Sequence, residues 1–167
     1  MPGVTTMELI QKYLSPDHVL LDLDVTSKKR VFEQVGLLFE NADHVPRSTV
    51  FDSLFTREKM GSTGLGHGLS IPHGRIKGLR EARCAFVRTR HGIPFDAPDG
   101  KPVQLVFVTL VPEHHPEQHL QILSEIAQMF SDKGLRDALM TCSDPDEAYR
   151  LLAEWSPYAP RKRSAAL

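Results

Sequence analysis

Residues 57 to 74 read REKMGSTGLGHGLSIPHG, placing an Arg-Glu pair, a Ser-Thr pair, glycines at 61, 64, 66 and 68 and two histidines within one short stretch. The second histidine, His73, follows Ile71 and Pro72. A residue before proline is steered away from helix and proline fixes its own φ, so the imidazole is presented from a stiff, extended segment, with Gly74 leaving space after it. Histidine is substantially neutral near pH 7. Its free nitrogen can therefore attack phosphorus and hold the group as a phosphoramidate that stays reactive enough to pass on.

The glycines do not form a nucleotide loop. No Gly-Lys-Ser/Thr follows them, and the positions that a GxGxxG pattern would need hold Leu69 and Ile71. What they offer is a tightly turned backbone with free N–H groups beside the Ser62 and Thr63 hydroxyls, a setting that receives anions. Phosphoryl transfer is mostly positioning and stabilisation of charge on the equatorial oxygens, so a cationic donor near the acceptor is required. Arg57 has the bidentate fork that suits phosphate, and His119 supplies a second imidazole. A competing reading makes the histidines metal ligands. His115 and His119 are four apart, and His114 and His73 would complete the set, but Pro116 stands where a zinc protease carries its general-base Glu. His18, His44 and His91 lie in polar segments and read as surface residues.

Elements must hold these groups. In MELIQKYL, Leu9, Ile10 and Tyr13 share a helical face; HVLLDLDV alternates as a strand. Thr26 or Ser27 caps a helix with Val31, Phe32, Val35, Leu38, Phe39 and Ala42 at helical spacing. Pro46 opens the next, striped by Val50, Phe51, Leu54 and Phe55, with Arg57 and Glu58 at its end. Three strands are expected in GLSIP, ARCAFVRT and VQLVFVTLVP, the run Leu105 to Val111 being apolar enough for a central strand covered on both faces. Pro116 opens a helix with Leu120, Leu123, Ile126, Ala127 and Phe130 in its stripe. GLRDALM follows as a short segment, and Asp144 caps a last helix through Ala148, Leu151, Leu152 and Trp155. Strands interleaved with helices predict an α/β fold, a single domain with a mixed β-sheet flanked by helices.

With 167 residues, 41% hydrophobic content and a formal charge of -1, the chain suits one core and has no global pull toward nucleic acid or an anionic membrane. Cys84 and Cys142 form no CxxC motif and read as incidental thiols. The start lacks the layout of a signal peptide, and no apolar run approaches a membrane span, so a cytoplasmic location without membrane insertion is expected. Residues 7–155 are expected to form the domain and 156–167, SPYAPRKRSAAL, a disordered tail.

LFTREKMGSTGLGHGLSIPHGRI closely resembles the active-site segment of the phosphotransferase-system enzyme IIA proteins of the fructose and mannitol type (EIIA type 2), most closely their nitrogen-regulatory branch. The resemblance runs from LDVTSKKRVFEQVG through GIPFDAPDGKPVQLVFVTLVP and HLQILSEIAQMFSD to the last helix. It implies that His73 accepts a phosphoryl group on Nε2 from an HPr-like phosphocarrier (NPr), with Arg57 and His119 supporting the group and Thr63, Gly64, Gly66 and Gly68 forming the surrounding phosphate loop. It implies no cofactor and no metal. The expected partners are that carrier and regulated target proteins such as kinases or transporters; a sugar-specific IIA passing phosphate to a separate IIB is the alternative. Two departures stand out: His67 occupies a variable position, and LS replaces the commoner IA before IPHG.

Overall fold

The computed structural model describes residues 8–114 and 116–157. The expected tail falls mainly on residues 158–167, outside the described residues. In chain order the elements are α1 (Glu8–Tyr13), a 3-10 turn (Pro16–His18), β1 (Val19–Leu23), α2 (Lys28–Asp43), α3 (Arg47–Lys59), β2 (Gly64–Gly66), β3 (Leu69–Ser70), β4 (His73–Ile76), β5 (Arg83–Ile93), β6 (Val103–Pro112), α4 (Pro116–Phe130), α5 (Lys133–Thr141) and α6 (Pro145–Ala153).

The sheet runs β1-β5-β6-β3-β2, with β4 also paired to β6. Strand β5 is antiparallel to β6, whereas β1 is parallel to β5, and β3 and β4 are both parallel to β6. The mixed sheet flanked by helices is therefore as the residue pattern predicts. In β6 successive side chains point to opposite faces. Leu105, Phe107 and Val111 enter one core with α1, α4, α5 and α6, and Val106, Val108 and Leu110 enter another with α2 and α3. Burying a large apolar side chain is worth about 1.5–3 kcal/mol. Five phenylalanines, Phe32, Phe39, Phe86, Phe95 and Phe107, are fully buried between these layers and hold the helices to the sheet.

Local chemistry sets the boundaries. Of the two candidate caps for α2, Ser27 is the one used, its side chain accepting from the Arg30 N–H. At the other end His44 takes the left-handed conformation (φ 60°). Asp132 and Asp144 cap α5 and α6. GLRDALM, a short unassigned segment by pattern, belongs to α5. His18 is a correction to the surface reading: it is buried, and its Nε2 donates to Asp43 at 2.6 Å, a carboxylate that Arg83 also reaches. Among the described residues, no helix is long and apolar enough to cross a membrane.

Pro72 splits one line of strand into two. Because it lacks an N–H, the ladder along β6 is broken there, and β3 pairs with Leu105 and Val106 while β4 resumes from Thr109. The Pro72 carbonyl still accepts from the Thr109 N–H at 3.1 Å. His73 thus opens β4, where the pattern alone ended a strand.

Candidate functional site

A cleft of about 470 Å³ opens at the sheet edge beside β4. Ser53, Thr56, Arg57 and Met60 line it from α3 and its end, His73, Gly74 and Arg75 from β4, and His119 from the first turns of α4. The structure brings His73, Arg57 and His119 together although they come from three elements in different layers.

Gly74 permits this closeness. A Cβ built there would stand 2.2 Å from the Ser53 Oγ and 3.1 Å from its Cβ. Only glycine lets α3 lie so near the strand, and Ser53 fastens the contact by donating to the Arg75 carbonyl at 3.0 Å.

The His73 ring is fixed at both nitrogens. Its Nδ1 is 2.9 Å from the Ile71 carbonyl, which can only accept, so the proton sits on Nδ1. The lone pair is then on Nε2, facing the cleft, where the Arg57 Nε–H donates to it at 3.3 Å. Burial pushes the His73 pKa below the ordinary histidine value; the Ile71 carbonyl opposes this, and the Arg57 charge adds to the lowering. His119 lies with its ring centroid 5.2 Å from that of His73. Its pKa is also lowered, first by burial and then by His73, Arg75 and Arg57. Its Nδ1 is shielded from solvent and has no hydrogen-bond partner among the described residues. Two neutral imidazoles and two guanidiniums, with no carboxylate in the lining, make a basin for a dianion.

Arg57 is itself held, its Nη1 donating to the Gly61 carbonyl at 2.8 Å. Behind it, the buried Glu58 accepts from the Thr63 N–H (3.1 Å), the Thr63 hydroxyl (2.6 Å) and the Lys28 ammonium (2.9 Å). Thr63 therefore differs from its expected place: its hydroxyl is spent inward on Glu58.

Thr63, Gly64, Gly66 and Gly68 are not among the cleft walls. They build a small hairpin, β2 against β3, whose turn residues His67 (φ 57°) and Gly68 (φ 76°) are both left-handed, the geometry of a type I′ turn. A Cβ at Gly64 would meet the Ala97 Cβ at 2.9 Å, so this glycine lets the loop after β5 pack closely. His67 has a structural place there, its N–H donating to Asp99 at 2.9 Å. Ser53, Thr56, Met60 and Arg75 are cleft residues that the pattern missed; of these, Arg75 carries charge, and its alternation with His73 along a strand was the available signal.

For the metal reading, His114 lies against Glu113 at the surface and His115 is outside the described residues. Among the described residues no three His, Cys, Asp or Glu side chains converge. Burial pushes the Cys84 thiol up to about 12, leaving it an inert core residue.

Residues 12–155 match the family model described as the phosphoenolpyruvate-dependent sugar phosphotransferase system, EIIA 2. A nitrogen regulatory protein of Pseudomonas aeruginosa is 37% identical over 146 residues, 87% of this chain and 95% of that one. The crystal structure of nitrogen regulatory protein IIA-Ntr from Neisseria meningitidis superposes with a TM-score of 0.82 at 50% identity, covering 87% of this chain and 99% of that one. A fructose-specific EIIA component of Haloferax volcanii is 37% identical over 108 residues, 65% of this chain and 70% of its own.

Proposed function

Since the chain belongs to the EIIA 2 family of the phosphoenolpyruvate-dependent phosphotransferase system, we propose that it is a nitrogen-regulatory phosphocarrier that accepts a phosphoryl group on His73 Nε2. The donor in this reading is the phosphohistidine of an HPr-like carrier. The observation that carries it is the tautomer. The Ile71 carbonyl keeps the proton on Nδ1 and leaves the Nε2 lone pair facing Arg57 in the cleft.

In the transfer, the Nε2 lone pair forms the new P–N bond. The donor's P–N bond breaks, and its electron pair returns to the donor ring nitrogen. If the second nitrogen of each ring keeps its proton, no proton has to move. The His73 ring becomes cationic as the donor ring becomes neutral, and the Ile71 carbonyl favours that cation. Arg57, no longer able to donate to a bonded Nε2, turns its N–H toward a phosphoryl oxygen, and the His119 ring, 5.2 Å from that of His73, stands beside the group. Catalysis is then positioning and charge stabilisation, as phosphoryl transfer requires. The added dianion, about two negative charges, changes the surface that a target kinase or transporter would meet.

The test is intact mass after incubation with phosphoenolpyruvate, enzyme I and the carrier. One acid-labile, alkali-stable adduct in the wild type and none in His73→Ala is the expected result; an adduct that survives in the variant refutes the assignment. The identity to a fructose-specific EIIA favours one second reading, a sugar-specific IIA with a separate IIB. Loss of the adduct to an added fructose- or mannitol-type IIB at a rate matching its formation would select that reading.

A further inference from the structure

We propose that Arg75 is a second guanidinium for the phosphoryl group, taking charge on oxygens that Arg57 leaves unmatched; this role rests on the reading of His73 as the acceptor. Side chains along a strand alternate between faces. In β4, Gly74 and Ile76 are buried, Ile76 in the core beneath α2 and α3, so His73 and Arg75 share the other face. Both line the cleft. Two residues along a strand are separated by about 7 Å, within the reach of an arginine side chain aimed back at its neighbour.

The backbone that carries Arg75 is rigid. Arg75 pairs with Val111 of β6, and its carbonyl accepts from Ser53 on α3. The guanidinium, by contrast, is uncommitted. Arg30, Arg47, Arg83, Arg88 and Arg90 each hold a carboxylate. Among the described residues, none pairs with the exposed Arg75 side chain, and the cleft lining has no acid to neutralise it. Its charge nevertheless reaches His119, helping burial, His73 and Arg57 to hold that imidazole below its ordinary pKa.

Arg57 cannot serve the whole group. One of its N–H groups is spent on the Gly61 carbonyl, and another points at the nitrogen under attack. A phosphoryl group presents three oxygens, and a planar fork satisfies two at best. A further unpaired guanidinium on the acceptor's own strand meets that need. It would also stabilise the dianion over the monoanion, which gives the role a signature independent of rate.

The experiment uses the full chain as wild type, Arg75→Ala and Arg75→Lys, with uptake from the phosphorylated HPr-like carrier followed by intact mass. Phosphorus NMR then titrates the phosphohistidine against pH. Arg75→Ala is expected to slow uptake on the order of fivefold at low salt, the upper range for one exposed charge pair. Its phosphoryl titration midpoint should rise by about half a unit, because the dianion loses a cation. Arg75→Lys should restore most of both effects, and added salt should shrink the difference. Unchanged rate and midpoint in Arg75→Ala would overturn the role. A slower rate with an unmoved midpoint would also overturn it, placing Arg75 in carrier docking. A wild type that takes up no phosphoryl group would instead overturn the reading of His73, and the role of Arg75 with it.

Discussion

Replacing Glu58 probes how the cleft edge is held, because this carboxylate joins three segments. It accepts two hydrogen bonds from Thr63 and one from Lys28 at the start of α2, and only 3% of its side chain is exposed. Glu58→Ala leaves the Thr63 N–H and hydroxyl without an acceptor, and the Lys28 ammonium over the Phe95 ring keeps only the exposed Asp96 carboxylate, 4.0 Å away, as a counter-ion. Breaking a buried pair costs about 3–5 kcal/mol, and the lower figure applies because Lys28 retains 20% exposure and can turn toward water. Glu58→Gln keeps one oxygen for Lys28 and the Thr63 N–H, while the hydroxyl can reverse and accept from the new amide. Its cost falls to about 1–2 kcal/mol. With a urea slope of about 2 kcal/mol/M, the unfolding midpoint should drop by about 1.5 M for alanine and roughly half that for glutamine. The chain has a single tryptophan, Trp155, whose fluorescence reports the transition. A Glu58→Ala midpoint within about 0.5 M of wild type, or a glutamine variant as weak as the alanine one, would refute this account of the loop.

Two further outcomes follow from the site. Because burial lowers the His73 pKa, phosphoryl uptake should persist as pH falls through about 6.5 and decline only below it, where Nε2 becomes protonated. By linkage, the unfolded chain binds more protons in that window, so the His73 contribution to stability is present above the unfolded value and lost as pH falls through the folded one. An NMR titration of the His73 ring with a midpoint at or above 6.5 would contradict both. Gly74→Ala should destabilise by about 2 kcal/mol in thermal or urea melts, since the new methyl displaces the Ser53 hydroxyl and forces α3 from β4. Ser53→Ala in the same chain should recover part of that loss, and no recovery would disprove the contact.

The layer order was legible because its signals are local. Leu105 to Val111 is apolar without interruption, and a strand of that kind has to be covered on both faces, as β6 is. Ser27, Asp144 and the stripes of α3 and α6 carry their own caps and periodicity, whereas Ala42 in α2 and Leu120 and Ala127 in α4, expected in their stripes, are exposed, and Ile122 and Met129 fill the α4 core in their place. His73 and Arg57 were legible through chemistry and family resemblance, and the fold sets them 3.3 Å apart. What escaped depends on distant partners. His18 looks like a surface residue until Asp43, at the far end of α2, closes on it. Thr63 looks like an anion ligand until Glu58 claims its hydroxyl. Strands β2 and β4 are too short to show a period, and Arg75 has meaning only once β4 exists.

The first and last helices of the described chain share one layer. Helix α1 packs on α4 and α6, and Gln11 donates to the Ala153 carbonyl. On a ribosome this layer cannot close until α6 has emerged, because the apolar face of α1 has no complete partner before then. The cleft residues, Ser53 to His119, are all synthesised earlier, and the α2–α3 layer can settle on β5 and β6 while α5 and α6 are still inside the exit tunnel. The cleft is therefore early in the order of synthesis and late in the order of locking: His119 rides on α4, and α4 gains its final support only when α1 and α6 meet.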